Sequence, residues 1–517
     1  MGTWSEERAA SRIADRIDEC SRSAISIKKY VRDTDLRSLG RTEAYRVHGV
    51  HLYADILNLT DILGTTDFEG ETCHKRALRF LNLHYRAVTR ILDRVDAIFV
   101  DFHNQRLHSV VTKPYDREDD RIHRAIALGQ LIIDVLRKTG VDADHPAADV
   151  RIGIDSGEAL AVNNGRRGHR EPLFLGEPAN HAAKRAGGGA RVGIFLTNTA
   201  RKVIGLKEVD NEDTAPLTAA EVATSQGLAK LELSVNAIVK EWQQDLEKNP
   251  IGAFQFHGHT PPFSDLDMEL LTPGNSRRQD GISFYADIDG FTNYVTNAIK
   301  DDESAKGVVQ VLHVLRSELD SVLHQDFGGR KVRFIGDCVH GLLAEGTAQT
   351  TDVDKTLRTA TLCAGAMRSS FNLALEKLDD DGLNVFELGL AIGLEYGPLT
   401  VTRLGMKGEM IRCSVSRGVL QSEEEQKLCK GTETAIGPVA YKNANENIQA
   451  IFDSRRRRAD LTYDAAKDEL KAKRESQSSV AKNSLLRPAA VAPAVASSTS
   501  YGFADKPVIP TQPAKFA

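Results

Sequence analysis

The chain of 517 residues has few aromatics, 6 % in all, and no excess of one charge. Its 67 Lys+Arg face 72 Asp+Glu, for a formal net charge of −5. That balance excludes the strongly basic surface of a typical nucleic-acid binder. It has no run of about 18 apolar residues, so no membrane span is expected. The N-terminal stretch has no apolar signal core, and the expected location is the cytoplasm. The six cysteines (Cys20, Cys73, Cys338, Cys363, Cys413, Cys429) form no CxxC pair, which fits reduced thiols better than disulfides or a zinc site. What remains is ordinary globular composition, 41 % hydrophobic and 27 % charged, and a length that predicts two to four domains.

Residues 1–45 read as an N-terminal helical segment, with a charged amphipathic helix over 5–32. An α/β stretch covers 46–205, and a helical linker covers 206–279. In that linker Thr218 and Glu221 are spaced as a capping box. Leu228, Leu231, Val235, Ile238, Val239, Trp242 and Leu246 then recur at helical spacing up to Asn249-Pro250. A second α/β stretch covers 280–440, and a charged helix is expected within 441–475, over about 443–474. The final segment, 476–517, holds five prolines and nine alanines without periodicity and is expected to be disordered.

The two α/β stretches are copies of one another. HLYADILNLTDIL (51–63) lies over SFYADIDGFTNYV (283–295), matching Tyr53, Ala54, Asp55, Ile56 and Thr60 to Tyr285, Ala286, Asp287, Ile288 and Thr292 at an offset of 232. VDFHNQRLHSV (100–110) lies over VRFIGDCVHGL (332–342) at the same offset, pairing Phe102 with Phe334 and His108 with His340. Downstream, Gly157 and Gly397 match at an offset of 240, as do Gly176 and Ser416. Any two βα units share some likeness, but a constant offset through several motifs is difficult to reach by chance.

The second copy carries the stronger chemistry. An apolar strand ends in Asp287-Ile288-Asp289-Gly290-Phe291-Thr292, and a second runs into the Gly336-Asp337 hairpin. Two carboxylates on neighbouring strand ends can bridge a pair of Mg²⁺ or Mn²⁺ ions, activating a hydroxyl and neutralising a triphosphate. A turn with free backbone N–H groups can hold phosphate. Taken singly, each aspartate reads as a turn or cap; taken together they read as metal ligands.

FYADIDGFT, KVRFIGDCV and the βαβ pattern after them resemble the class III nucleotide cyclases, which convert a nucleoside triphosphate into a 3′,5′-cyclic monophosphate and pyrophosphate. The resemblance covers 46–205 and 280–440 and implies two tandem cyclase-like βαββαβ domains, α/β (α+β), forming an intramolecular pseudo-heterodimer. In that family one domain supplies two metal-binding aspartates. The other supplies two base-reading residues, an asparagine for the ribose and an arginine for the transition state. The second copy keeps the metal positions, Asp287 and Asp337, with the Ile288 carbonyl as an implied third ligand; the turn Asp289, Gly290, Phe291 and Thr292 would hold the β- and γ-phosphates. The first copy has Asp55 but Gln105 in place of the second aspartate. The first copy's Gly176-Glu-Pro-Ala179-Asn180-His-Ala182-Ala-Lys184-Arg185 resembles the family's Gly-x-x-Val-Asn-x-Ala-x-Arg. Asn180 takes the asparagine position, and Lys184, with Arg185 beside it, takes the arginine position. At the equivalent places the second copy has Leu420 and Glu424. One cleft thus keeps Asp287, Asp337, Asn180 and Lys184, while the other is disabled. Lys lacks the bidentate fork of Arg, so either Lys184 or Arg185 would face the α-phosphate.

At the base-reading positions the first copy has Asp101 and Leu173, and the second has Arg333 and Cys413. The Lys/Asp pair of adenine enzymes is absent. Asp101 would accept from guanine N1/N2, cytosine N4 or uracil N3. This pocket, in a chain without an obvious sensor domain, resembles the bacterial pyrimidine cyclases of antiphage defence, which make cyclic UMP or cyclic CMP to activate a separate effector. The resemblance therefore implies UTP or CTP as substrate, two divalent metal ions, and no nucleic-acid or membrane partner. It leaves the oligomeric state open. A purine cyclase, a nucleotide-binding pseudocyclase, and a scaffold using the 218–247 and Arg-rich 443–474 helices stand as the other readings. Asn163-Asn164-Gly165-Arg166-Arg167 reads as a basic hairpin and Arg455–Arg458 as a solvated face.

Overall fold

A computed structural model describes residues 2–471, except 33, 37, 38, 141–145, 164–171, 386, 407 and 409. The segment expected to be disordered, 476–517, and most of the basic 163–167 hairpin lie outside the described residues.

The chain opens with α1 (Glu6–Arg22), capped by Ser5, whose side chain accepts from Arg8 N. Ala9, Ile13 and Ile17 recur every fourth residue and are buried. The helix stops ten residues short of the expected end. Its C-cap Ser23 is extended, and β1 (Ser26–Lys29) instead pairs in parallel with the start of β2 (Glu43–Ile56). The polar face of α1 is clamped onto the second repeat. Arg12 binds both Glu318 and Asp326, at 2.6 and 2.9 Å, and Arg16 reaches Glu318 and Ser321.

The first repeat continues as α2 (Leu59–Leu63), α3 (Glu71–Val95), β3 (Ile98–His103), β4 (Arg106–Val111), α4 (Glu118–Leu136), β5 (Val150–Asn163), β6 (Pro172–Leu175), α5 (Glu177–Gly187), β7 (Gly193–Leu196) and α6 (Asn198–Val203). Its sheet runs β3-β4-β2-β5-β6, with β1 on β2 and β7 on β5. The linker forms α7 (Ala219–Ala229), with the expected Thr218–Glu221 capping box, and α8 (Val235–Lys248). The single periodic helix read from the sequence is broken at 230–234, where Lys230 and Glu232 take left-handed φ of 44° and 52° and Ser234 caps a new start. Trp242 is buried and donates Nε1–H to Leu83 O at 3.0 Å, and Arg86 binds Asp245 at 2.8 Å. Ile238 and Trp242 of the stripe are thus buried against the first repeat, whereas Leu228 is exposed.

After β8 (Phe256–His257) the second repeat forms β9 (Ser276–Asp289), α9 (Phe291–Ala298), α10 (Asp302–Ser321), β10 (Arg330–Ile335), β11 (Cys338–Leu343), α11 (Val353–Asp380), β12 (Gly389–Leu404), β13 (Ile411–Ser414), α12 (Arg417–Lys427), β14 (Glu433–Ile436), α13 (Pro438–Asn443), α14 (Glu446–Gln449) and β15 (Arg457–Ala459). Its sheet runs β10-β11-β9-β12-β14-β15, with β13 on β12 and β8 on β9. The charged helix expected over about 443–474 is interrupted among the described residues, where 463–471 are helical. Arg455 and Arg456 lie in a turn that Asp453 caps, Arg456 has φ 61°, and Arg457 and Arg458 join the edge strand β15.

The repeat is reproduced in hydrogen-bond register. Tyr53 faces His108 as Tyr285 faces His340, at the offset of 232. Ala54 faces Ile152 as Ala286 faces Ile392, which reproduces the offset of 240. Even the strand irregularity recurs, at Phe99/Asp101 and at Lys331/Arg333.

The two repeats exchange hairpins. Leu160, Val162, Leu173 and Leu175 of β5–β6 join the second repeat's core, while Leu404, Ile411, Cys413 and Val415 of β12–β13 join the first repeat's core. Each repeat thus completes the other's apolar interior, and residues 1–470 form one compact unit. Among the described residues no helix is long and apolar enough to cross a membrane.

Candidate active site

The carboxylate half is built at the ends of β9 and of the β10–β11 hairpin. Gly290 (φ 81°) turns the chain into α9; a Cβ there would come within 2.8 Å of Glu387 O, so the turn requires glycine. Gly336 (φ 60°) does the same for the hairpin that presents Asp337. Asp287 and Asp337 are half-buried, and among the described residues neither forms an ion pair. Burial, reinforced by the charge of Asp289, pushes the Asp287 carboxyl up to about 6, with a Gln426 hydrogen bond opposing. Burial and the charge of Asp287 hold Asp337 well above the ordinary range, with Arg316 opposing. Paired, partly desolvated carboxylates without cationic partners fit a hard dication, and the Ile288 carbonyl lies between them in sequence. Asp289 is turned aside: its Oδ2 accepts from Gly431 N at 2.8 Å.

The polar half comes from α5. Asn180 Nδ2 donates to Thr292 Oγ1 at 2.8 Å, linking the two repeats. One turn on, Lys184 is exposed and makes no ion pair among the described residues. Arg185 points the other way, onto Glu212 at 2.6 Å and Asp213 at 3.3 Å in the acidic loop after α6.

Between the halves lies a cavity of about 210 Å³ whose lining includes Asp337, Phe291, Thr292, Asn180, Asp101 and Leu173. Six residues singled out from sequence in the two repeats therefore share one wall. Asp287, Ile288, Asp289, Gly290, Lys184 and Arg185 are not part of the lining. Asp101 Oδ1 accepts from Arg333 Nη1 at 2.8 Å and from Phe102 N at 2.9 Å, so the two equivalent base-reading positions of the repeats pair with one another. Sequence reasoning missed Tyr53, His103, Arg106 and His108, which also line the cavity. Tyr53 stacks on His108 with centroids 4.1 Å apart and planes 12° from parallel. His108 is held neutral by burial, and its Nε2 shares a hydrogen bond with His51 Nδ1 at 3.0 Å. The matched His108/His340 pair was the available signal, but without coordinates it indicates only a shared structural position.

The second cleft is closed. Arg106 places Nε 3.1 Å from Asp55 Oδ2 and Nη1 2.9 Å from Glu423 Oε1. Asp55 is the counterpart of Asp287, so a guanidinium neutralises the carboxylate that faces no cation in the other repeat. Glu424, the counterpart of Lys184 in that cleft, is exposed and binds Lys427. Glu69, Cys73 and His74 also cluster, but His74 Nδ1 accepts from Arg278 and Glu69 Oε1 from Arg417 N, which spends these donors on a latch between the repeats.

No protein-family model matches the chain. It is 54 % identical over 473 residues to a uridylate cyclase of Pseudomonas aeruginosa, covering 90 % of this chain and 91 % of that one. It is 41 % identical over 430 residues to a uridylate cyclase of Rhizobium sp., covering 79 % and 81 %. Among solved structures it superposes, with a TM-score of 0.88 and 54 % identity, on a class III adenylyl cyclase-like ATP-binding protein of Pseudomonas aeruginosa, covering 91 % of this chain and 99 % of that one.

Proposed function

The chain belongs to the uridylate cyclase branch of the class III nucleotide cyclases, and we propose that it converts UTP into uridine 3′,5′-cyclic monophosphate and pyrophosphate in the one cleft shared by its repeats. The observation that carries this reading is that one cavity is lined by both Asp337 and Asn180. Two divalent ions, Mn²⁺ or Mg²⁺, would be held by Asp287, Asp337 and the Ile288 carbonyl, and would supply a lowered pKa at the ribose 3′-hydroxyl and charge neutralisation at the phosphates.

The chain's own residues do the rest. Asn180, fixed by Thr292, orients the ribose so that its 3′-oxygen lies in line with the α-phosphorus. The N–H groups opening α9 bind the β- and γ-phosphates. Lys184 meets the charge that grows on the α-phosphate, since Arg185 is spent on Glu212 and Asp213. Asp101, oriented by its hydrogen bond from Arg333, accepts from uracil N3–H. The reading extends to a second messenger of antiphage defence acting through a separate effector, supported by the resemblance of this chain to that group of cyclases.

Incubating the purified protein with Mn²⁺ and each of ATP, GTP, CTP and UTP tests the proposal. Cyclic UMP is the expected dominant product. Cyclic AMP or GMP as the main product would replace it with a purine cyclase, and no product from any of the four would leave a nucleotide-binding pseudocyclase.

The two neighbouring cations of α5 should separate in the same assay. Lys184→Ala is expected to lower kcat by about 10²-fold, the size of a lost transition-state contact. Arg185→Ala should change kcat by less than about threefold, because it removes an ion pair to Glu212 and Asp213 that lies outside the cavity lining. The reverse ranking would assign the role to Arg185.

A further inference from the structure

His108 has no part in the chemistry described so far, yet it lines the nucleotide cavity together with Asp101. The two are direct cross-strand partners, Asp101 on β3 and His108 on β4. Directly opposed residues of an antiparallel pair project from the same face, with Cβ atoms about 5 Å apart. Strand β3 is irregular between Phe99 and Asp101, and such a distortion re-aims a side chain beside a site. A carboxylate and an imidazole thus stand side by side on one cavity wall.

Burial decides the charge of that imidazole, and a second histidine decides which nitrogen carries its proton. Burial pushes His51 down to about 3 and His108 well below the ordinary range, so both rings are neutral. Two neutral rings share one proton across the 3.0 Å contact between His51 Nδ1 and His108 Nε2. His51 Nε2 is buried and has no hydrogen-bond partner. A proton there would be a buried donor without an acceptor, the rarer and costlier kind of orphan. The proton of His51 therefore sits on Nδ1 and is donated to His108 Nε2. His108 carries its own proton on Nδ1, its remaining ring nitrogen.

The ring is held in place. Tyr53 stacks on it at 4.1 Å, and Phe174 meets both histidines edge-on, with centroids 5.3 Å from His51 and 6.2 Å from His108. The second repeat keeps the stack, Tyr285 on His340 at 4.4 Å, but not the rest. Ser283 stands at the position of His51, the Nδ1 of His340 is buried without a partner, and Arg333 takes the place of Asp101 opposite His340. Neither Arg333 nor His340 is part of the cavity lining. The pairing of an acceptor with a neutral donor belongs to the cleft that keeps Asp337 and Asn180.

We propose that His108 is a base-reading residue whose Nδ1–H donates to the C4 carbonyl of uracil, beside the N3–H that Asp101 accepts, so that the cleft distinguishes UTP from CTP. This role rests on UTP being the substrate. At C4 uracil has an acceptor where cytosine has an amino donor, and at N3 uracil has a donor where cytosine has a lone pair. Cytosine in the same pose sets two donors against each other at C4 and two acceptors at N3. The C2 carbonyl is common to both bases and discriminates nothing. Opposed or missing polar partners in such a site select more strongly than an apolar wall does.

The kcat/KM values for UTP and for CTP, each with Mn²⁺, test it. His108→Phe keeps a ring against Tyr53 and removes the donor. It should lower kcat/KM for UTP by about tenfold or more and change that for CTP by less than about threefold. His108→Asn, which returns an N–H close to the position of Nδ1, should restore part of the preference for UTP. Equal losses with the two nucleotides would give His108 a purely structural role and overturn the proposal. Nitrogen-15 NMR of the histidine side chains in the wild-type chain adds a readout that no variant's folding affects, with the His108 signals assigned by their loss in His108→Asn. His108 should be protonated at Nδ1 and bare at Nε2. The opposite tautomer would overturn the proposal and leave UTP as the substrate, whereas a wild-type chain that makes no cyclic UMP would overturn both.

Discussion

Asp337→Asn should abolish cyclisation while the protein stays folded. Product formation is expected to fall by about 10³-fold or more, because in the proposed site the residue would supply one of the two side-chain carboxylates for the metal ions, and several kcal/mol of transition-state stabilisation would depend on those ions. Stability should move the other way. Asp337 is held well above the ordinary carboxylate range by burial and by Asp287, so at neutral pH its ionisation opposes folding in the metal-free protein. A group with its folded pKa raised binds its proton more tightly in the folded state. For Asp287 the folded state therefore loses stability as pH rises from 3.8 towards about 6. Neutral Asp337→Asn and Asp287→Asn remove that cost, and their metal-free melting temperatures at pH 7 should equal or exceed the wild-type value. A variant that melts well below wild type would mean that these carboxylates hold the fold together, whereas one that cyclises at the wild-type rate would exclude them as metal ligands.

Arg106→Ala should have the largest effect on stability. It strands Asp55, whose side chain is only 5 % exposed, and leaves Glu423, 13 % exposed, with Lys427 at 2.9 Å alone. Removing one member of a buried ion pair costs about 3–5 kcal/mol; because Arg106 itself is 30 % exposed to the cavity, the lower end applies, about 3 kcal/mol. The check is the unfolding midpoint in denaturant, with Arg106→Ala/Asp55→Asn recovering part of the loss. Gln105→Ala provides the contrast. It stands where the second copy has Asp337, in a cleft without a metal pair, so cyclisation should change by less than about twofold. A collapse of activity in Gln105→Ala, with Asp337→Asn unaffected, would mean the two clefts had been assigned in reverse.

Much of the architecture was legible because a repeat constrains register. The offsets of 232 and 240 in the sequence return as Tyr53–His108 against Tyr285–His340 and as Ala54–Ile152 against Ala286–Ile392. The capping box at Thr218 was legible for the same reason that it forms: it is local. What was not legible depends on partners distant in sequence. Periodicity carries α1 past Arg22, but Ser26–Lys29 gains more by pairing with β2. The Arg455–Arg458 run follows a turn set by Asp453, and helical charge patterning does not reveal it. The hairpin exchange between the repeats leaves no mark in either hairpin, since Leu and Val look alike whichever core they enter. At the site, Asn180, Thr292 and Asp337 could be placed from motifs, whereas Arg106 could not. Its role as the cation of the closed cleft rests on Glu423, which comes from the other repeat. Likewise Lys184 and Arg185 are adjacent in sequence but separated in role by the acidic loop that takes Arg185.

The central claim is that one chain holds a complete cleft, with its carboxylates from the second repeat and its asparagine from the first. Mixing tests this most directly. Asp337→Asn and Asn180→Ala, each inactive or nearly so alone, are combined in equal amounts and assayed for cyclic UMP. If each chain builds its own cleft, every chain in the mixture carries one defect and activity stays at the level of the separate variants. Recovery of a substantial fraction of wild-type activity would mean that Asp337 of one chain works with Asn180 of another, and would contradict the account.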